Sequence, residues 1–277
     1  MPATAGAALQ AARDRLAVTS PHPRRDAEAL LGQVLQCDAA ALLTHPERLL
    51  SAGESAQFES FVVRRAACEP IQYILGVQEF FGLPIAVTPD VLIPRPETEH
   101  LVEAVLQRVH PHADAHILDV GTGSGAIAVA LAHALPHALL TAVDLSPAAL
   151  AVARRNALRH GVGERVTLLP SDLLAALDRL QFDVVVSNPP YIAENEVLEP
   201  QVAQWEPRSA LYAGPTGLEI YQRLIPQARE ALRPNGWLLL EVGYGQSPAI
   251  GKLLRDWTDV TFLDDLQGIP RVAVARR

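Results

Sequence analysis

Four short stretches of the chain combine residue types that can hold a small molecule and act on it. Leu118-Asp-Val-Gly-Thr-Gly-Ser-Gly125 places three glycines in five residues. Without Cβ atoms such a loop turns sharply and lets the backbone approach a ligand; through Ala126 it also reads as G-x-G-x-x-A, a loose dinucleotide fingerprint compatible with any nucleotide-like cofactor. Asp144 stands 19 residues beyond Gly125. A carboxylate there can accept hydrogen bonds from two vicinal ribose hydroxyls, and Ser146, ahead of Pro147, is the better helix cap. Asp172 suits two roles equally, acceptor for an adenine amino group or helix N-cap, with Leu173 beside it to pack on a ring. Phe182-Asp-Val-Val-Val-Ser-Asn-Pro-Pro-Tyr191 is the fourth stretch. Its two prolines stop a strand and leave flanking carbonyls without competing N–H groups. The Asn188 side-chain carbonyl, the Asn188 and Pro189 main chain and the flat face of Tyr191 make a cradle for a planar amino group, an arrangement that dinucleotide dehydrogenases do not need.

These stretches require elements that bring them to one place. Strands are expected at His116–Val120, Leu139–Val143, Val166–Leu169, Phe182–Ser187, Trp237–Val242, Val260–Leu263 and Val272–Ala275, with helices between the first five, notably Pro147–His160 and Leu218–Leu232. Strands alternating with helices build a doubly wound, mostly parallel sheet, here of seven strands, whose ligands bind beyond the carboxyl ends. All four stretches lie at or just beyond such ends. Before them, apolar spacing predicts helices through Leu9–Leu16, Ala27–Leu35 and Phe58–Val63, and Thr44-His-Pro-Glu47 and Ser51-Ala-Gly-Glu54 both have the form of a capping box, the first being equally compatible with a loop. Between Ile71 and Val91, β-type residues broken by Gly76, Gly82, Pro84 and Pro89 suggest short strands in a hairpin rather than another helix. The expected organisation is a helical N-terminal substrate-recognition domain at 1–72, a hairpin linker at 73–95 and a catalytic α/β domain at 96–277.

Composition narrows the function. The 277 residues carry 23 basic against 31 acidic side chains, a net charge of −8, which argues against a protein that grips nucleic acid through its phosphates. Cys37 and Cys68 lack metal-type or disulfide-framework spacing. Arg13, Asp14 and Arg15 interrupt the N-terminus where a signal peptide needs its apolar run, and the apolar stretch Ala126–Val143 is broken by His133, Pro136 and His137, so neither secretion nor a membrane span is expected. The expectation is a cytoplasmic globular protein. His110, His112 and His116 stand together without a carboxylate or cysteine at ligand spacing and read as a surface linker, not a metal site.

Asp119-Val-Gly-Thr-Gly-Ser-Gly125, Asp144, Asp172 and Asn188-Pro-Pro-Tyr191 together resemble the class I S-adenosylmethionine-dependent methyltransferases that modify amino groups. More narrowly, with Pro70–Gly76, Phe80-Phe-Gly82, Val91–Glu99, Glu206-Pro-Arg208 with Ala210-Leu211, and Glu241–Gln246, the chain resembles the PrmC/HemK family of release factor glutamine methyltransferases. The resemblance implies a Rossmann-like methyltransferase sheet, S-adenosylmethionine as cofactor with S-adenosylhomocysteine as product, no metal, and no stable nucleic-acid or membrane partner. The implied substrate is the Gly-Gly-Gln glutamine of class 1 peptide-chain release factors, methylated on its side-chain nitrogen, N5. It further implies that Asp119, Gly121, Thr122, Gly123, Ser124, Gly125, Asp144, Leu145, Asp172, Leu173 and Asn188 border the cofactor. Asn188, Pro189, Pro190 and Tyr191, with Arg95 and Glu97, would hold the substrate, and Asn188, Pro189 and Tyr191 would carry the catalysis. Ala213 and Thr216 depart from the expected Gly and Asp in the loop after Tyr191. The competing readings are a glutamine in a ribosomal protein and an amino group of adenine in nucleic acid, since both present the same planar nitrogen.

Overall fold

The computed structural model describes residues 4–177 and 181–277. Two compact units emerge, one running up to Val77 and including Leu198–Trp205, the other comprising Gln78–Val197 and Glu206–Arg277. The expected boundaries at 72 and 95 make no provision for the short 198–205 segment.

The first unit contains α1 (Ala5–Leu16), α2 (Pro23–Leu35), α3 (Ala39–Thr44), α4 (Ala52–Ala66) and α5 (Ile71–Leu75). Leu16, Leu30, Leu31, Leu42, Phe58, Val62 and Ile74 form its core. Ser51 and Glu54 make a full capping box at the start of α4, Ser51 Oγ accepting from Glu54 N at 3.2 Å and Glu54 Oε2 from Ser51 N at 2.8 Å. Thr44 makes none: it is the last residue of α3, and its hydroxyl donates backwards to the Ala40 and Ala41 carbonyls. A buried ion pair joins α2 to α4, with Arg65 Nε 2.6 Å from Asp26 Oδ2 and the Ser20 hydroxyl donating to the same oxygen.

The β-type residues Tyr73 and Ile74 lie in α5 and not in a strand, which corrects the expectation for this stretch. Pro70 precedes the helix and Gly76 closes it at φ +74°, while Tyr73 and Ile74 are buried. Terminal punctuation and burial outweigh the local β preference. The hairpin follows as β1 (Val77–Phe80) and β2 (Leu83–Ala86).

The second unit continues with a 3₁₀ turn at Pro96–Thr98, α6 (Glu99–Leu106), β3 (His116–Val120), α7 (Ala126–Ala134), β4 (Leu139–Asp144), α8 (Pro147–Arg159), β5 (Val166–Pro170), β6 (Phe182–Ser187) and β7 (Ile192–Ala193). After α9 (Pro200–Ala203), which counts with the first unit, come α10 (Arg208–Leu211), β8 (Tyr212–Gly214), α11 (Glu219–Ala231), β9 (Leu232–Glu241), α12 (Ser247–Leu253), β10 (Thr258–Asp264) and β11 (Pro270–Arg276). The main sheet has seven strands in the order β10-β11-β9-β6-β3-β4-β5. β9, β6, β3, β4 and β5 run parallel, whereas β11 is antiparallel to both β9 and β10. This is the expected doubly wound α/β architecture. Period-two alternation sorts the strand residues onto two faces: Ile117, Val184, Val186 and Leu239 pack in one cluster with α6 and α7, while Leu118, Val185, Leu238 and Leu240 pack in the other with α11 and α12. No helix among the described residues is long and apolar enough to cross a membrane.

β3 is where the sheet order reverses, so its carboxyl end and that of β6 border one crevice. Asn156 on α8, wholly buried, secures that region. Its Nδ2 donates to the Ala86 and Ser124 carbonyls at 2.9 and 2.8 Å, and its Oδ1 accepts from Ala86 N at 2.8 Å. Asn156→Leu keeps the volume but orphans these buried backbone groups. We expect it to destabilise the protein by roughly 2–5 kcal/mol, read as a lower denaturant midpoint at unchanged slope; a loss within about 0.5 kcal/mol, the range of an ordinary surface substitution, would contradict the assignment.

Candidate active site

The glycine loop after β3 is held by its own backbone and by the neighbouring strand. Gly121 N and Thr122 N both donate to the Val143 carbonyl, at 2.8 and 3.0 Å, and Thr122 Oγ1 donates to Asp119 Oδ2 at 2.6 Å. Gly121 and Gly123 adopt φ of +73° and +55°, and a Cβ on either would meet nothing within 4 Å; conformation, not crowding, requires glycine there. Gly125 differs, since its Cβ would fall 3.0 Å from Ala153 Cβ on α8. Thr122 and Ser124 are buried, as is Asp119, whose Oδ1 has no partner. Burial pushes the Asp119 carboxyl up to about 7, against the Thr122 hydrogen bond and with help from the Asp144 charge.

Asp144 clamps the loop. Its Oδ2 accepts from Gly123 N and its Oδ1 from Ser146 N, both at 2.8 Å. This backbone duty was not foreseen from the sequence, and each oxygen keeps a lone pair for a ligand. Ser146 caps α8 as expected. Beside Asp144, Leu145 is 68% exposed, an apolar platform at the mouth of the strand ends. Asp172 does not cap a helix: its Oδ2 pairs with Arg223 Nη2 at 2.6 Å, and Ser171 takes the nearby N–H of Ala176. Leu173 sits at φ +52° and packs partly against the cluster containing Val143.

At the end of β6 the cradle is built as a stack. Ser187 Oγ donates to the Val120 carbonyl at 2.6 Å, tying β6 to β3 one residue before Asn188. Asn188 Nδ2 donates to Thr98 Oγ1 at 3.1 Å, and Thr98 Oγ1 lies 2.6 Å from Glu241 Oε2. Tyr221, fully buried on α11, donates its hydroxyl to the Glu241 carbonyl at 2.7 Å. Tyr191 lies over Gly243, where a Cβ would come 2.9 Å from its Cδ2, and its carbonyl accepts from Gln246 Nε2 at 2.9 Å. Burial raises the Tyr191 phenol well above its ordinary value. Burial also pushes the Glu241 carboxyl up to about 7, opposed by the Thr98 hydrogen bond, raised further by Glu97 and lowered by Arg271 and Arg95.

The Leu92–Thr98 segment flanks this stack. Arg95 Nη2 meets Glu206 Oε1 at 2.5 Å, and Glu206 Oε2 accepts from Ile93 N at 3.1 Å. Arg95 thus staples the loop after Tyr191, and Glu97 is exposed. The two departures have local explanations. Thr216 donates through N and Oγ1 to Glu219 Oε1 at the start of α11, and Ala213 is buried in β8, which pairs with β7. Pro189 is buried and Pro190 half-buried.

Sequence reasoning assigned no role to Thr98, Glu241, Glu206, Gln246 or Asn156. The available signal was a lone carboxylate, Glu241, ending the apolar run Leu238-Leu-Leu240, and a second one, Glu206, beside a proline. No group of three or more His, Cys, Asp or Glu among the described residues is arranged to hold a metal ion. His110, His112 and His137 gather their rings at 5.7 and 5.9 Å, while His116 donates its backbone N–H to Asp183.

Known proteins show which family the chain resembles over most of its length. Residues 7–76 match the family model described as the PrmC N-terminal domain, and residues 97–205 match the methyltransferase small domain. A release factor glutamine methyltransferase of Koribacter versatilis (strain Ellin345) is 48% identical over 264 residues, covering 94% of each chain. Its counterpart in Geobacter sulfurreducens is 48% identical over 257 residues, 91% of this chain and 89% of that one. Among solved structures, a methyltransferase from Pyrococcus furiosus covers 71% of this chain and 90% of its own at a TM-score of 0.53 and 20% identity, a likeness of fold.

The Arg95–Glu206 pair gives a direct test of the site's frame. Arg95→Met leaves the Glu206 carboxylate buried with only one backbone donor, and we expect a loss of about 2–4 kcal/mol in chemical denaturation. Adding Glu206→Gln should recover part of it; strictly additive losses would show that the two side chains do not depend on each other.

Proposed function

Since the chain belongs to the release factor glutamine methyltransferase family, a family of S-adenosylmethionine-dependent protein methyltransferases, we propose that the loop after β3 holds the cofactor while Asn188-Pro-Pro-Tyr191 presents the substrate glutamine. The glutamine proposed is that of the Gly-Gly-Gln motif of class 1 release factors, and the place of action is the cytoplasm. The observation that carries this reading is the hydrogen-bonded adjacency of β3 and β6, with Val120 opposite Ser187, which sets the glycine loop beside the amide cradle.

The residues fit the cofactor. Open space lies over Gly121 and Gly123, Asp119 has a buried oxygen without a partner, Asp144 keeps lone pairs suited to ribose hydroxyls, and Leu145 offers an apolar surface for a purine. Thr122, Ser124 and Gly125 shape the same loop, and Asp172 with Leu173 is the proposed adenine edge, Asp172 sharing its charge with Arg223. When bound, S-adenosylmethionine supplies an electrophilic methyl group on a sulfonium and leaves as S-adenosylhomocysteine.

An amide nitrogen is a poor nucleophile because its lone pair is delocalised into the carbonyl, so positioning carries the catalysis. Asn188 Oδ1 and the Pro189 carbonyl accept the two N–H bonds of the glutamine amide, and Tyr191 stacks on its plane with Pro190 shaping the turn. This aims the nitrogen lone pair out of the plane toward the methyl group; orientation of this kind is worth up to roughly 7–11 kcal/mol. The same two acceptors stabilise positive charge as it develops on nitrogen. Tyr191 does not act as a base, since its phenol is held neutral, and the proton is released to solvent after transfer. Arg95 acts on the substrate through the loop it staples, and exposed Glu97 is positioned to meet an incoming protein. The net charge of −8 suits a partner with basic loops.

Methyl transfer from labelled S-adenosylmethionine tests this reading. A class 1 release factor should take up label that is lost when its Gly-Gly-Gln glutamine is changed to alanine. Asn188→Ala in the enzyme should lower the rate by roughly 10²–10³-fold, the typical effect of removing one preorganised group from a site of developing charge. DNA and ribosomal protein serve as parallel acceptors; label on either in preference to the release factor would overturn the substrate.

A further inference from the structure

The hydrogen bonds behind Asn188 carry an inference that rests on its reading as an amide acceptor. An asparagine side chain has nearly the same shape at both ends, one a carbonyl and the other an NH₂ group, so its orientation is decided by the partners it faces. In this protein the partner is Thr98, 4% exposed, and behind Thr98 stands Glu241, 3% exposed. Thr98 has a single hydroxyl proton to place. An ionised Glu241 can only accept, so it takes that proton, and the Thr98 oxygen is left as an acceptor for Asn188 Nδ2. Asn188 Oδ1 then faces away from Thr98, free for the substrate. A protonated Glu241 reverses the chain: its own O–H donates to Thr98, the Thr98 proton turns toward Asn188, and the favoured orientation brings Oδ1 to Thr98 and NH₂ to the substrate. Donors would then face the donors of the glutamine amide.

We propose that Thr98 and Glu241 are positioning residues, a relay whose proton selects the orientation of Asn188, so that methyl transfer proceeds when Glu241 is ionised and fails when it is protonated. Their geometry is independent of the cofactor loop. Thr98 comes from the 3₁₀ turn before α6, Glu241 ends β9, and Tyr221 on α11 fixes the Glu241 main chain. The charged and titratable groups facing Glu241 are Glu97 and Arg95 from the segment around Thr98, Arg271 from β11, Tyr191 from the cradle and Tyr221 from α11. The two cations are each shared with another acid, Arg95 with Glu206 and Arg271 with Asp265. They offset burial only in part, and the carboxyl sits at about 7, inside the range where the relay can switch. The sign follows: raising pH through this value ionises Glu241 and turns transfer on.

The experiment is kcat and KM for the release factor at saturating S-adenosylmethionine, measured from roughly pH 5.5 to 9. Wild-type kcat should rise about tenfold per pH unit on the acid side and level off above a midpoint near 7. Glu241→Gln, which cannot ionise, should abolish the acid limb. Thr98→Val should lower plateau kcat by roughly 10–100-fold, the scale on which losing an outer partner that orients a site group is felt, with S-adenosylhomocysteine affinity by calorimetry unchanged; Thr98→Ser, which keeps the hydroxyl, should retain both rate and limb. Arg271→Gln, a variant outside the relay, should move the midpoint upward, and it tests the assignment even if Glu241→Gln does not fold. An acid limb that persists in Glu241→Gln at the wild-type midpoint assigns it elsewhere, Asp119 being the other carboxyl held near 7, and overturns the proposal. So does Thr98→Val with wild-type kcat, or an unmoved midpoint in Arg271→Gln. Failure of the substrate reading looks different: wild-type enzyme then leaves the Gly-Gly-Gln glutamine unlabelled at every pH.

Discussion

The site depends on the pairing of β3 with β6. The two strands are not neighbours in the chain, and α7, β4, α8 and β5 lie between them in sequence. They become neighbours because the winding reverses after β5, leaving β4 and β5 on one side of β3 and β6 and β9 on the other. With Val120 opposite Ser187 in parallel register, two chain segments that both leave the sheet at the same end are brought side by side. The Ser187 hydroxyl on the Val120 carbonyl closes the join just where ladder bonds run out. A register slip would turn the Asn188 segment to the other face of the sheet and separate the acceptors from the loop.

Around that join the protein concentrates acids that a core would ordinarily exclude. Asp119, Glu206 and Glu241 are each no more than 5% exposed. Each is handled differently: Glu206 by a guanidinium and a backbone N–H, Asp119 chiefly by the Thr122 hydroxyl on one oxygen, Glu241 by Thr98. Burying an acid costs several kcal/mol unless it is paired or neutralised. Glu206, with a full partner, is structural. Asp119 and Glu241, with incomplete partners, have carboxyls lifted to about 7, the condition in which a small change in surroundings alters charge. The mechanism does not need either as a base. Their use is to orient neighbours, a loop in one case and an amide in the other.

The strands were legible because period two and helical spacing repeat over several residues and burial follows that pattern. Phe182–Ser187 and His116–Val120 have the bounds read from their residues. Tyr73 and Ile74 misled because β-branched and aromatic types serve equally well in a short buried helix, and the choice rests on what packs against it. Thr44-His-Pro-Glu47 had the letters of a capping box, but Thr44 ends a helix instead of starting one, and only the course of α3 decides between those.

Glycine, proline and asparagine at the strand ends marked the candidate site from sequence alone, since a loop with positive φ and a strand halted by two prolines are local facts of covalent structure. Which acid partners which group is not local. Asn188 meets Thr98 across 90 positions, Thr98 meets Glu241 across 143, and Arg95 meets Glu206 across 111. Such pairings arise from sheet order and helix packing, and the strength of each depends on burial that no residue carries in its own name. The sequence by itself determined that a glycine loop and an Asn-Pro-Pro-Tyr turn would stand at strand ends of one α/β sheet. Only the tertiary structure decided what stands behind the cradle, because the environment that sets an orientation or a proton is assembled from residues distant along the chain.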